Sequence, residues 1–334
     1  MREPQAILDS HRDRLERALR NALPTDDTPV ACAVRYVMGW EDADGEPASA
    51  TGKRLRPLLT LAVAELSGAD DADSATPVAV AIELIHNFSL VHDEIQDRDA
   101  QRHGRPTLWA RFGDAQSINA GDLLFARAYA SLAALPPELS ASCLDILTEA
   151  TERMIRGQWQ DLEFESRLDV QPTEYLDMVA GKTGALIGAA AAVGALCAGR
   201  PLAEAHLFER WGVAAGLAFQ ARDDYLGIWG DSDLTGKTTT GDLLRRKKTL
   251  PVLLGLSDPD SAAALREFLA SEPTVEGIPA ALAALEAAGV PRRSEQMASG
   301  YRAEADRLLS EIPLRETALA ELRAIGRLLV ERER

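Results

Sequence analysis

A chain of 334 residues, 46% of them hydrophobic, can build one large core or two ordinary ones. Its formal net charge of -16, from 52 acidic and 36 basic side chains, repels nucleic acid and anionic membrane, which excludes both as general partners. Aromatics are scarce at 5% while alanine and leucine abound, so helices are favoured over strands.

The first residues, Met1-Arg2-Glu3-Pro4, carry no apolar signal-peptide core. Ile7 to Leu23 is amphipathic and predicts a helix ending near Pro24. Helical patterns follow over Pro57 to Ser67 and Pro77 to Asp97, the second apolar on nearly every face and therefore central. Asn119 to Leu135 sets Leu123, Leu124, Ala128 and Leu132 at helical spacing before Pro136-Pro137 breaks it. Glu138 to Glu165 and Pro172 to Ala198 predict further helices. The apolar run from Ala185 to Ala198 is shorter than the roughly 18 residues that cross a bilayer, so a buried helix and no transmembrane segment are expected. Leu207 to Gly227 and Leu250 to Leu256 flank a polar loop, and from Ser261 helical patterns alternate with breaks at Pro273, Pro279, Pro291 and Pro313. Strand signals are nearly absent; the Asp44-Gly45 pair lies in a polar loop. Cys32, Cys143 and Cys197 are widely spaced with no CxxC, the pattern of reduced thiols in a cytoplasmic protein. No linker divides the chain, so one all-α domain over residues 1–334 is expected.

Two acidic segments stand in apolar surroundings. Asp93-Glu94-Ile95-Gln96-Asp97 follows Phe88-Ser89-Leu90-Val91, and Asp223-Asp224-Tyr225-Leu226-Gly227 follows Leu217-Ala218-Phe219-Gln220-Ala221. Carboxylates beside an apolar wall are costly unless cations neutralise them. Mg²⁺ takes carboxylate oxygens and shares its shell with phosphates. On a helix Asp93 and Asp97 project from one face, and Asp223 need only face them to complete a metal box. The competing reading is a solvated acidic face, which the apolar flanks and the second segment disfavour. Basic residues gather near both segments despite the acidic total: Lys53-Arg54-Leu55-Arg56, Arg102, Lys182, Lys237 and Arg245-Arg246-Lys247-Lys248. Such side chains suit phosphate oxygens; Arg54 and Lys248 read as solvated surface charges. Glu83-Leu84-Ile85-His86 is an ExxH, but a di-iron bundle needs a second one, which the chain lacks. His86 is then either a satisfied core histidine or a phosphate contact. Gly236-Lys237-Thr238 lacks the upstream glycine of a nucleotide-binding P-loop.

Read in order, Gly52-Lys53-Arg54-Leu55-Arg56-Pro57, Leu84-Ile85-His86, the first acidic segment, Arg102-His103-Gly104-Arg105-Pro106-Thr107, Gly157-Gln158-Trp159-Gln160-Asp161-Leu162, Lys182-Thr183, Phe219-Gln220-Ala221-Arg222-Asp223-Asp224, Gly236-Lys237 and Lys247-Lys248-Thr249-Leu250-Pro251 resemble the trans-prenyl diphosphate synthase family. The resemblance implies the class I isoprenoid synthase fold, a single-domain helical bundle around a central apolar cavity. It implies Mg²⁺, three ions per active site, held by Asp93, Asp97 and Asp223. It assigns Arg102, Lys182 and Lys237 to the allylic diphosphate, and Gly52, Lys53, Arg56 and His86 to isopentenyl diphosphate. Lys247 falls in the second basic motif, also substrate-binding, and Thr183 and Gln220 would line the reacting centre. The tail Glu331-Arg332-Glu333-Arg334 resembles the family segment that closes over the site, and a homodimer is the family's usual state.

Four departures from the family pattern bear on function. Glu94 replaces the middle aspartate of the first motif, Gly227 the last aspartate of the second, and Arg246 a glycine. His103 replaces an arginine that would contact isopentenyl diphosphate, and Arg98 and Arg105 are the neighbours that could restore its charge. Phe88, five residues before Asp93, with small Ser89 beside it, resembles the short-chain pattern that gives C20 geranylgeranyl diphosphate; C15 and C25 are the rivals, and an ordinary core phenylalanine is the plain alternative. The competing functions are a class I terpene synthase, which needs no isopentenyl diphosphate, and a non-catalytic regulatory subunit.

Overall fold

Proline opens many of the helices, because its fixed φ and missing N–H suit the first turn. In the computed structural model, which describes residues 2–42, 44–48, 52–69, 72–102, 104–230, 241–245, 247–270 and 275–330, the chain divides into two compact units. The first comprises Met1–Thr151, Ala189–Phe208 and Leu314–Leu322, and the second Glu152–Gly188, Glu209–Pro313 and Arg323–Arg334.

The first unit opens with α1 (Pro4–Asp9) and α2 (Arg12–Ala22), where one helix was expected. The break has a local cause: the Ser10 hydroxyl donates to the Ile7 carbonyl (2.7 Å), and His11 is drawn inward to Glu65 (2.9 Å). A helix that the hydrophobic pattern did not reveal follows, α3 (Pro29–Val37), opened by its own proline. Next come α4 (Leu55–Leu66) and the long α5 (Thr76–Gln96). Helix α4 begins two residues before Pro57, since the first-turn N–H groups have no partner inside the helix. Helix α5 buries Val78 to Ile85 almost completely, as its all-round apolar pattern demands, and packs on α4 and α2. A two-residue hairpin, β1 (Gln101–Arg102) with β2 (Arg105–Pro106), leads to α6 (Leu108–Phe112) and α7 (Asp114–Ser131), which lies along α5.

Helix α8 (Pro137–Ser166) begins in the first unit and ends in the second. There it is followed by α9 (Pro172–Val179), a π-helical turn over Ala180–Gly184, and α10 (Ala185–Cys197), whose later residues belong to the first unit. Then come α11 (Leu202–Trp229), α12 (Gly241–Leu244), α13 (Leu250–Leu256), α14 (Ala262–Ala270), α15 (Ile278–Ala287), α16 (Val290–Leu309) and α17 (Glu316–Val330). The second unit's core gathers Phe164, Tyr175, Met178, Leu253, Leu265 and Leu285. Two helical stretches, Asp73–Gln96 and Pro172–Cys197, are long and apolar enough to cross a membrane by length and composition. Most of each is buried, as in a core helix; the apolar run read from the sequence covered only the second half of the longer one.

Candidate active site

In the first unit the acidic segment forms the C-terminal end of α5. Asp97 caps the helix, its N–H donating to the Asp93 carbonyl (2.8 Å), so the two aspartates lie one turn apart, both half-buried. Between them Glu94 is largely withdrawn from water, with Arg102 3.8 Å away. Burial pushes its carboxyl up to about 7, against the opposing pull of Arg102 and the Leu108 N–H. Among the described residues no three carboxylate, histidine or cysteine side chains form a ready-made metal cage. The carboxylate pair of Asp93 and Asp97 nevertheless fits Mg²⁺, which uses one or two protein carboxylates and leaves the rest of its shell to water and phosphate.

Beyond Asp97 the backbone turns left-handed at Arg98 (φ 56°), whose guanidinium donates to both oxygens of Asp114 (2.9 Å each). Arg105 stacks on the Tyr36 ring at 4.4 Å and donates to the Glu41 carbonyl (2.8 Å). Both neighbours of His103 therefore already hold partners that fix the hairpin. His103 itself lies outside the described residues, as do Lys237, Arg246 and the tail Glu331-Arg332-Glu333-Arg334.

Helices α4 and α5 bring the next basic group together. Gly52 and Lys53 are exposed just before α4, and Arg56 in its first turn stands 3.2 Å from the His86 ring nitrogen on α5. Ser89 donates its hydroxyl to the His86 carbonyl (2.8 Å). Arg54 is not the surface charge expected from the sequence. It is only 5% exposed and donates to Glu16 (2.9 Å), Glu83 (2.7 Å) and the Met38 carbonyl (2.6 Å). Glu83, the acid of the ExxH, is thereby engaged in a buried ion pair.

Phe88 is 8% exposed, its ring 4.9 Å from Phe125 of α7, which in turn contacts Tyr129 at 5.0 Å. The two α7 aromatics escaped the sequence reading, although their i, i+4 spacing gave a signal.

In the second unit Lys182 lies in the π-helical turn, ion-paired with Asp161 of α8. The turn sits against α8 backbone to backbone. A Cβ at Gly157 would run into the Lys182 nitrogen, and one at Gly181 would stand 2.7 Å from the Arg153 carbonyl. Thr183 donates to Gln220 (3.3 Å), and the Gln220 amide donates to Asp224 (2.9 Å). Asp224, 4% exposed, also accepts the Leu250 N–H (2.9 Å) and the Tyr175 hydroxyl. Burial nevertheless outweighs these donors and lifts its carboxyl to about 6. Asp223, beside it on α11, is half-buried. Lys248 is again no surface charge: it is 6% exposed and donates to the Glu165 carbonyl (3.2 Å). Lys247 is half-buried, its N–H bonded to the Asp242 carbonyl (3.0 Å). The gap at Gly227 is filled, because a Cβ there would meet the Asp242 carboxylate at 2.5 Å. Asp161, Tyr175 and Asp242 are the polar groups of this half that the acidic and basic runs did not single out.

Known proteins resemble this chain in sequence and in fold. The family model for polyprenyl synthetase matches residues 45–285. The (2E,6E)-farnesyl diphosphate synthase of Mycobacterium tuberculosis is 39% identical over 334 residues, covering 98% of this chain and 93% of its own. A geranylgeranyl diphosphate synthase of the same organism is 41% identical over 269 residues, 78% of this chain and 74% of its own. Among solved structures, a polyprenyl synthetase from Streptomyces coelicolor A3(2) superposes with a TM-score of 0.91 at 36% identity, covering 98% of this chain and 99% of its own.

Proposed function

This chain belongs to the polyprenyl synthetase family and is a prenyltransferase, and on that premise we propose that it joins an allylic diphosphate to isopentenyl diphosphate, giving chiefly C20 geranylgeranyl diphosphate. The observation that carries the two-substrate reading is the contact between Arg56 and His86. Ionising an allylic diphosphate alone needs no such basic pair. With Gly52 and Lys53 alongside, the pair makes a cationic seat for the second diphosphate.

Asp93, Asp97 and Asp223 are the carboxylates proposed to hold Mg²⁺, with three ions the expected complement. Bound Mg²⁺ supplies positive charge to the leaving diphosphate. The chain's own cations, Arg102, Lys182, Lys237 and Lys247, add to that neutralisation. Asp161 pairs with the Lys182 amine and aims it. Departure of the diphosphate leaves an allylic cation, towards which Thr183 and Gln220 present their oxygens. Apolar helices keep water from trapping that cation. The alkene of isopentenyl diphosphate attacks it, a carbon–carbon bond forms, and the departed diphosphate takes the proton that restores the double bond.

Phe88, backed by Phe125, supports the C20 limit as a floor one turn below Asp93. Against it, the relatives above include a C15 as well as a C20 synthase. The three free cysteines support a cytoplasmic setting, and the exposed Ile155 and Trp159, one turn apart on α8, support a homodimer.

The test is product analysis of the purified chain with dimethylallyl, geranyl and farnesyl diphosphate, each with and without isopentenyl diphosphate, in Mg²⁺. C20 product is expected only when isopentenyl diphosphate is present, with longer products from Phe88→Ala. A terminal C15 product would overturn the length assignment. Hydrocarbon or alcohol from farnesyl diphosphate alone would establish a terpene synthase instead, and no turnover would establish a regulatory subunit.

A further inference from the structure

Arg54 is held in a way that its place in a basic run does not require. It occupies the N-cap of α4 with left-handed backbone angles (φ 53°, ψ 33°), a conformation that costs a non-glycine residue roughly 1 kcal/mol or more. Its side chain is buried, and a buried guanidinium is tolerated only where its donors are matched. Here each nitrogen finds an acceptor on a different segment. Nε donates to Glu16 of α2, Nη1 to Glu83 of α5, and Nη2 to the Met38 carbonyl at the end of α3. Glu83 is fixed in turn by the Asn87 amide (2.9 Å). Just upstream, the Lys53 carbonyl accepts from Arg12 (3.4 Å).

This knot lies beside the cationic seat and does not belong to it. Lys53 precedes Arg54, and Arg56 follows it by two. Glu83 precedes His86 by three residues, so both project from one face of α5. The contacts close a ring: Arg54 to Glu83, along α5 to His86, across to Arg56, and back along the chain. Turning Arg54 out of its left-handed backbone would redirect Lys53 and Arg56 together. Loosening Glu83 would let α4 slide against α5 and part Arg56 from His86.

We propose that Arg54, through its buried ion pair with Glu83, is a positioning residue that sets the seat for the diphosphate of the non-allylic substrate without touching it. The inference rests on the two-substrate reading above. A residue that only stabilised the fold would lower thermal stability and active fraction without separating the two substrates.

The experiment measures KM for isopentenyl diphosphate and for the allylic diphosphate separately, alongside melting temperature, in Arg54→Lys and Glu83→Gln. Lysine keeps the charge but cannot serve three acceptors in a fork. Glutamine keeps the shape and one acceptor oxygen. Arg54→Lys is expected to raise KM for isopentenyl diphosphate about tenfold, and Glu83→Gln about threefold, with the allylic KM moving less than twofold in either. Calorimetric titration with isopentenyl diphosphate alone should weaken in parallel. Should Arg54→Lys not fold, the same split read on Glu83→Gln decides the matter. Equal changes in both KM values, or a lowered melting temperature with neither KM changed, would overturn the positioning role while leaving the two-substrate reading intact. A wild-type chain that turns over without isopentenyl diphosphate would overturn both.

Discussion

The two acidic segments look alike in sequence and are treated differently by the fold. At the end of α5, Asp93 and Asp97 flank a glutamate that burial keeps partly protonated near neutral pH. On α11, Asp224 is enclosed by three donors, the Leu250 N–H, the Tyr175 hydroxyl and the Gln220 amide. It ties α11 to α9 and α13, while its neighbour Asp223 stays half-exposed. The two adjacent carboxylates are thus treated differently: the inward one staples helices, while the outer one keeps access to solvent and is the one proposed above to hold Mg²⁺. The first segment also turns one carboxylate inward, Glu94, but there Arg102 at 3.8 Å and the Leu108 N–H stand in place of three close donors.

The largest expected effect separates these roles directly. Asp93→Ala should lower turnover by about 10³-fold or more, the scale of removing preorganised charge at a reacting centre. Its helical circular dichroism and melting temperature should stay near wild type. Asp224→Ala should do the reverse first, destabilising the protein by about 2–4 kcal/mol because three buried donors lose their acceptor. Denaturant unfolding read beside initial rates checks both. Full activity in Asp93→Ala, or an unchanged unfolding midpoint in Asp224→Ala, would erase the distinction.

The next effect is a pH dependence. Glu94 sits at about 7 against an ordinary 4.5, and Asp224 at about 6 against an ordinary 3.8. Both are raised, so the folded state holds protons that the unfolded chain has already released. The stability they confer is complete below about pH 4 and is lost as pH rises through 6 and then 7. The metal-free protein should therefore lose stability across that window, by about 1.4 kcal/mol per pH unit for each group while it titrates. Glu94→Gln should flatten the upper part of the slope and Asp224→Asn the lower part, as thermal melts in chelator from pH 4 to 8 would register. A flat profile in the wild type would show that neither carboxyl is desolvated as described.

Much of this division was hidden in the sequence, for a physical reason. Asp93 and Asp97 could be read because their spacing is local, four residues on one helix. Arg54 and Lys248 read as surface charges because charge is visible in a sequence and its acceptors are not: Glu16, Glu83 and Glu165 lie 29 to 83 residues away. The helical composition pointed to the fold class, and Pro57, Pro77 and Pro172 marked the starts of α4, α5 and α9 to within two residues. The break at Ser10 and the π-helical turn at Lys182 depend instead on contacts with Glu65 and on the close approach of α8. Phe88 was legible as one aromatic, but its partner Phe125 belongs to another helix.

The smallest effect concerns the position where the second segment departs from its family. Restoring the missing acid as Gly227→Asp would ordinarily be expected to help. Here the space is taken, since any Cβ at 227 stands 2.5 Å from the Asp242 carboxylate. That oxygen ends a short side chain that can rotate, so Gly227→Ala should cost little, and the helix gains roughly 1 kcal/mol on losing a glycine. Gly227→Asp adds a like charge beside Asp242 and should lower stability relative to Gly227→Ala by about 1 kcal/mol, without raising turnover. Gly227→Asp combined with Asp242→Asn should recover that loss if Asp242 has taken over the place of the absent aspartate. Independent, additive effects of the two substitutions on the unfolding free energy would mean that it has not.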